Sequence, residues 1–166
     1  HEQAAVLDGG LGIWLGPLAQ GEEAIEPAVF TPRERSDDII TTDEILDRLE
    51  DPSLVLLDAR PEDRYRGEAL GLDPVAGHIP GAQCAAFTDN LGSDGRFLPA
   101  DQLKQRFAEK LGQRSPSELV AYCGSGVTAC HNLFALCLAG YPLASLYAGS
   151  WSEWINEPSR GIATGE

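Results

Sequence analysis

Residues 118–141 read ELVAYCGSGVTACHNLFALCLAGY, and this stretch decides how the chain is organised. Residues 118–122 form a short apolar run with the length of a buried strand. A six-residue loop follows, Cys123-Gly124-Ser125-Gly126-Val127-Thr128, whose two glycines let the backbone curl tightly. A helix is predicted next, with Cys130, Leu133, Phe134 and Cys137 at the spacing of one face. On that reading Cys130 and Cys137 belong to the core. Gly140 followed by Tyr141-Pro142 is a stop signal. Cys123 is thereby placed where a strand gives way to a helix.

That position has chemical consequences. The first N–H groups of a helix lack partners within it, and the helix dipole adds partial positive charge there. A thiolate at that point is stabilised, which lowers the thiol below its free value of about 8.5 and makes it a nucleophile at neutral pH. The curled N–H groups also form a cradle for an anion. A cysteine that merely packs is the plainer alternative, because free cysteine is among the most buried residue types. A packing cysteine, however, is expected inside an element, not before Gly-Ser-Gly at a strand–helix junction. The nucleophile reading is the stronger one.

Outward from this centre, Thr42 is read as the cap of a helix over 43–49, with Ile45, Leu46 and Leu49 as its apolar stripe. Residues 54–58, LVLLD, form an unbroken apolar run ending in Asp58, as in a strand buried on both faces of a parallel sheet. Ligands of open α/β sheets bind beyond the carboxyl ends of strands, which puts Asp58-Ala59-Arg60 near the site. Residues 77–82 read as a turn into a strand over 83–87, and 99–111 as a helix with Leu103 and Phe107 inward. A last strand is expected over 143–148, then a helix start carrying Trp151 and Trp154, at least one of them core. The tail, 159–166, is expected to be loose.

Composition bounds the function. The chain has 166 residues, 43% of them hydrophobic, enough for one domain with a real core. A net charge of −14 argues against nucleic acid or an anionic membrane as partner, because nothing neutralises phosphates. No apolar run approaches the ~20 residues of a membrane helix, and no signal peptide is visible. The chain starts at His1 and contains no methionine, so it is expected to be a processed product or a fragment. Its four cysteines, Cys84, Cys123, Cys130 and Cys137, follow no CxxC pattern. A zinc site combining them with His78 or His131 would lack the usual spacings, so no metal is expected. Unpaired thiols suit a reducing compartment, and cytoplasm is the expected location.

The loop CGSGVTA resembles the active-site loop of the rhodanese superfamily, in particular of its 3-mercaptopyruvate sulfurtransferases. Thiosulfate-preferring members usually carry basic residues just after the cysteine, where this chain has Gly124 and Ser125. Leu57-Asp58-Ala59-Arg60, Gly77-His78-Ile79-Pro80-Gly81-Ala82 and Tyr147-Ala148-Gly149-Ser150-Trp151-Ser152-Glu153-Trp154 are similar to further family marks, in the same order. The resemblance implies the rhodanese fold: α/β, with a central, mainly parallel sheet of about five strands flanked by helices on both faces. No cofactor is implied.

Residues 6–15, VLDGGLGIWL, are similar to 146–155, LYAGSWSEWI. Tandem rhodanese architecture is common in these sulfurtransferases, so 1–15 is read as the remnant of a preceding, non-catalytic domain. Residues 16–36 have the Gly, Pro and Glu content of an extended interdomain linker, with Ile25, Val29 and Phe30 as anchors. The catalytic domain then runs over 37–166.

By resemblance, Cys123 is the catalytic nucleophile, and the loop residues Gly124, Ser125, Gly126, Val127 and Thr128 bind the substrate and the persulfide. Arg64 matches the arginine of the family's R-[FY]-x-G segment, which reaches over the pocket to the anionic substrate. A guanidinium can grip a carboxylate or sulfonate bidentately. Arg60 is read as a brace for Asp58 or the loop, and His78 as structural, tying its turn to neighbouring backbone. Ser125 matches a serine that helps move a proton, with histidine and aspartate partners from the preceding domain. Mercaptopyruvate enzymes usually have a second arginine shortly before the GHIPG turn; here 68–76, EALGLDPVA, holds no basic residue.

The implied reaction moves a sulfane sulfur from 3-mercaptopyruvate, through a Cys123 persulfide, to cyanide, a small thiol or reduced thioredoxin. A thiosulfate sulfurtransferase is the alternative. A cysteine phosphatase would need strong charge neutralisation at the loop, yet no arginine or lysine lies between Arg114 and Arg160. A non-catalytic binding module would usually have lost the cysteine. A peroxide-sensing thiol would oxidise at Cys123 without turning over a sulfur donor.

Overall fold

Two four-residue strands build both halves of the core. In the computed structural model, which describes residues 4–33 and 38–166, β1 (Val55–Asp58) and β3 (Leu119–Tyr122) pair in parallel, with Asp58 opposite Tyr122. Every residue of both strands is buried, and successive side chains point to opposite faces. Val55, Leu57, Leu119 and Ala121 pack on one face with Leu103 and Phe107 of α3 (Ala100–Leu111) and Leu133 and Leu136 of α4 (Val127–Leu138). Leu56, Val120 and Tyr122 pack on the other. Their partners there are Ile45 of α1 (Thr42–Arg48), Tyr65 of α2 (Glu62–Arg66), and Trp151 and Trp154 of α5 (Ser150–Trp154). Helices on both faces of a parallel sheet are the geometry that continuous apolar strands require.

The sheet is all parallel in the order β2-β1-β3-β4, with β2 (Gln83–Cys84) and β4 (Ser145–Leu146) as two-residue edges. It has four strands where about five are expected. The fifth position is reduced to one parallel bridge, Ile39 with Leu146, in which the Ile40 N–H donates to the Leu146 carbonyl at 3.0 Å. Beyond Cys84 the chain stays tied to β1 through Ala85 N–H to Asp58 O at 2.8 Å, then coils into a 3-10 turn at Phe87–Asn90.

Several local expectations are corrected. The cap of α1 is Thr41, not Thr42. Its hydroxyl accepts from the Glu44 N–H and the Glu44 carboxylate accepts from the Thr41 N–H, a capping box that Thr42 has no glutamate to complete. Thr42 is instead buried, with its hydroxyl 2.7 Å from that of Tyr147. On α4 the inward face is Ala129, Asn132, Leu133 and Leu136, while Cys130, Phe134 and Cys137 are exposed. The helix is apolar around most of its girth, and the polar Asn132 disguises the true stripe. Asn132 is buried because its amide donates to the Ala85 carbonyl and its oxygen accepts from Asn90, both at 2.7 Å.

The tail is ordered. Residues 78 and 163 exchange backbone hydrogen bonds of 2.8 and 3.0 Å, the Gly165 N–H donates to Arg66 O, and the Trp154 indole donates to Gly161 O. Gly77 permits this approach, since a Cβ there would lie 2.4 Å from the Ala163 carbonyl oxygen. Ile25, Val29 and Phe30, expected as anchors of the 16–36 segment, are exposed. The boundary expected at 36–37 lies outside the described residues. Near the N-terminus, the Asp8 carboxylate accepts from the Phe97 N–H at 2.9 Å. Among the described residues, no helix is long and apolar enough to cross a membrane.

Asn132→Leu leaves the Asn90 amide and the Ala85 carbonyl without this partner inside the fold. Urea unfolding is expected to show a loss of about 2 kcal/mol, the usual cost of stranding buried polar groups. No loss would mean that the network contributes nothing.

Candidate active site

Cys123 follows the last residue of β3, and α4 opens four residues later. The turn between them depends on Gly126, whose φ of 81° is left-handed and whose missing Cβ would meet the Ala148 carbonyl oxygen at 2.8 Å. The loop is held from behind by main-chain bonds. The Cys123 carbonyl accepts from the Trp151 N–H and the Gly124 carbonyl from the Ser152 N–H, both at 2.9 Å. The Cys123 N–H donates to Ser150 Oγ at 3.1 Å, and that hydroxyl donates to the Tyr147 carbonyl at 2.8 Å. Ser150 is the only described non-glycine residue with positive φ, 56°. A backbone that costs about 1–2 kcal/mol persists here because its side chain is fixed at both ends.

Cys123 itself is 2% exposed, while Ser125 and Val127 face solvent. The N–H groups of 124–128 precede α4 or open it, where the carbonyls a turn earlier lie in β3 and the loop and accept from Ala59, Tyr147, Trp151 and Ser152 instead. They and the helix dipole give the loop its positive character.

The charged part of the site comes from the end of β1. Arg60 Nε lies 3.1 and 3.0 Å from the two Asp58 oxygens, and Nη2 donates to Asp58 and to the Gly77 carbonyl, each at 2.7 Å. Both residues are buried, and the guanidinium lies 4.8 Å over the Trp151 ring. Burial works against the Arg60 charge, but the bonds and charge of Asp58 outweigh it and raise its basicity. Burial, followed by the Asp58 charge, pushes the Tyr122 hydroxyl well above the usual phenol range, so it stays protonated. Its oxygen accepts the Ile79 N–H at 3.2 Å.

Arg64, on α2, reaches the loop. A Cβ on Gly124 would stand 3.2 Å from Arg64 Nη2, and one on Gly71 2.7 Å from Nε. The same Nη2 donates to Asp73 at 2.5 Å, and this aspartate also lies 3.4 Å from Arg60 Nη1. Arg64 Nε is buried with no hydrogen-bond partner among the described residues.

His78 sits apart from this chemistry. Its Nδ1 is 2.7 Å from the Tyr65 carbonyl and its ring stacks on that of Tyr65 at 3.8 Å. Trp151 and Trp154 are both fully buried, and the Trp151 indole N–H donates to Val75 O. Cys130 and Cys137 lie on the outer face of α4. Burial pushes the Cys130 thiol up, and the charge of Cys123 adds to it. An apolar groove of about 370 Å³ lies on that outer side, between Val6 and Leu7 and the ring of Phe134.

Two residues escape sequence reasoning. Asp73 meets arginines 9 and 13 positions away, beyond any local motif. Ser150 reads as an ordinary turn residue, and no pattern marks a left-handed serine.

The rhodanese-like domain family matches residues 41–157. A probable 3-mercaptopyruvate sulfurtransferase of Pseudomonas aeruginosa is 59% identical over 97% of this chain and 58% of its own length. The human 3-mercaptopyruvate sulfurtransferase is 38% identical over 93% of this chain and 53% of its own. A rat thiosulfate sulfurtransferase is 34% identical over the whole chain and 58% of its own length. The chain thus spans little more than half of these curated relatives. Among solved structures, an EanB variant with ergothioneine covalently linked to a cysteine persulfide superposes with a TM-score of 0.83. Identity there is 25%, over 96% of this chain and 41% of that one. Tum1 from Saccharomyces cerevisiae gives 0.67 at 26% identity, over 77% of this chain and 47% of that one. The parallel sheet running into a cysteine loop and the family match over most of the chain lead to one assignment: the chain belongs to the rhodanese-like domain family.

Proposed function

We propose that this chain is the catalytic module of a sulfurtransferase that moves a sulfane sulfur from 3-mercaptopyruvate to a thiophilic acceptor through a persulfide on Cys123. The observation that carries the reading is the position of Cys123, in the loop that leads into the head of α4, with the Arg64 guanidinium packed against Gly124.

In the first step the Cys123 thiolate attacks the donor sulfur. An S–S bond forms and the donor C–S bond breaks, its electron pair leaving on the pyruvate enolate, which takes a proton to give pyruvate. The donor's thiol hydrogen stays on the outer sulfur until it is lost to solvent. In the second step a thiolate or cyanide attacks that outer sulfur, the S–S bond breaks, and Cys123 leaves as thiolate. Arg64 grips the donor carboxylate through the N–H groups not engaged by Asp73. The N–H groups of Gly124, Ser125, Gly126, Val127 and Thr128 hold the persulfide anion, with the Ser125 and Thr128 hydroxyls adding donors. Asp58, Arg60 and His78 support the site from below.

Thiosulfate is the second donor to consider, because residues 68–76 supply no further arginine for a carboxylate. The similarity of 6–15 to 146–155 supports reading 1–15 as the end of a preceding domain and 16–36 as a linker. Four thiols outside any disulfide support a cytoplasmic setting and a thioredoxin-like or small-thiol acceptor.

Incubation with each donor, followed by peptide mass spectrometry, is expected to place one added sulfur on Cys123 with 3-mercaptopyruvate and much less with thiosulfate. Cys123→Ser is expected to abolish loading. Sulfur on another cysteine, or none on Cys123, overturns the reading; a thiosulfate preference transfers it to the second donor. Arg64→Ala removes a charge-assisted contact of about 1.5–3 kcal/mol, so kcat/KM for 3-mercaptopyruvate should fall roughly tenfold to a hundredfold, mainly through KM. Steady-state rates with an unchanged KM would remove Arg64 from the binding role.

A further inference from the structure

We propose that Asp73 is a donor-selecting residue: its charge neutralises Arg64 at the mouth of the loop and so handicaps doubly charged anions. This rests on the sulfurtransferase reading of the site. Four charged side chains are joined here, Asp58, Arg60, Arg64 and Asp73, and their charges cancel. Arg60 is already committed to Asp58 and to the Gly77 carbonyl. Asp73 stands only 3.4 Å from Arg60 but 2.5 Å from Arg64, so Arg64 is the cation it balances.

The Asp73 side chain is 9% exposed, and its field is therefore weakly screened by solvent. Arg64 Nη2, the atom it holds, is also the atom packed against Gly124, next to Cys123. An anion approaching the loop meets the negative charge of Asp73 together with the positive charge of Arg64. 3-Mercaptopyruvate carries one negative charge at neutral pH and thiosulfate carries two. Each added charge on the donor is repelled once more by Asp73, while the unpartnered Arg64 Nε and the loop N–H groups serve both donors alike.

Asp73→Asn keeps the shape and an acceptor for Arg64 but removes the charge. With an effective dielectric of ~40, between that of the protein surface and bulk water, one unit charge ~6 Å away corresponds to roughly tenfold in affinity. The variant is expected to raise the thiosulfate-to-mercaptopyruvate ratio of kcat/KM roughly tenfold, and Asp73→Glu to leave it within about twofold. Calorimetric binding of sulfate and pyruvate gives the same comparison without turnover: sulfate should gain roughly tenfold over pyruvate in Asp73→Asn. A fall of equal size for both donors would show that Asp73 only braces the loop, and a shift toward the monoanions would reverse the argument; either outcome overturns the proposal. If neither donor loads the unaltered protein, the sulfurtransferase reading fails, and the sulfate and pyruvate affinities still decide the role of Asp73.

Discussion

The buried ion pair of Asp58 and Arg60 is the constraint on which the rest of the site depends. Two charges removed from water at the end of β1 are tolerable only when nearly every donor and acceptor is matched. That requirement draws in the Gly77 carbonyl, the face of Trp151 and, through Asp73, the guanidinium of Arg64. The turn at 77–82, the start of α5 and the tip of α2 are far apart in the chain. One desolvated guanidinium holds all three in register.

The cysteine loop is built by a different means. Its hydrogen bonds to the 147–152 segment run between carbonyls and N–H groups, joined by the Ser150 hydroxyl. A cradle made of main chain is insensitive to most side-chain changes, since each residue brings the same donor whatever its identity. Gly126 is the exception, because the Ala148 carbonyl fills the space of its Cβ. The charged shell is specific where the loop is generic, which is a reasonable division between holding a sulfur and choosing the molecule that delivers it.

Much of this was legible in residue order. The run LVLLD ending in Asp58 predicts a strand buried on both faces, and β1 is one. The position of Cys123 at a strand–helix junction follows from apolar spacing and glycine punctuation, and the structure has that junction. Other features turn on competition between near-equal choices. Thr41 and Thr42 can each cap a helix, and only the reach of Glu44 decides. Either of two faces of α4 could pack, and the buried one carries an asparagine whose partners, Asn90 and Ala85, lie more than 40 residues away. The tail looks featureless because its order resides in backbone pairing with His78, which side-chain patterns do not encode. Asp73 belongs to the same class: its importance comes from two arginines that the fold, not the chain, brings beside it.

The rotation of α4 also bears on how the protein can be assayed. Cys130 and Cys137 stand on the outer surface, while Cys123 is enclosed and Cys84 is half covered. A reagent that counts total thiols therefore reads the outside of a helix as much as the chemistry at its head. Its signal can rise or fall while the loop is untouched. Only measurements that resolve the individual cysteine, by peptide or by a variant lacking the two outer thiols, report the state of the reactive sulfur.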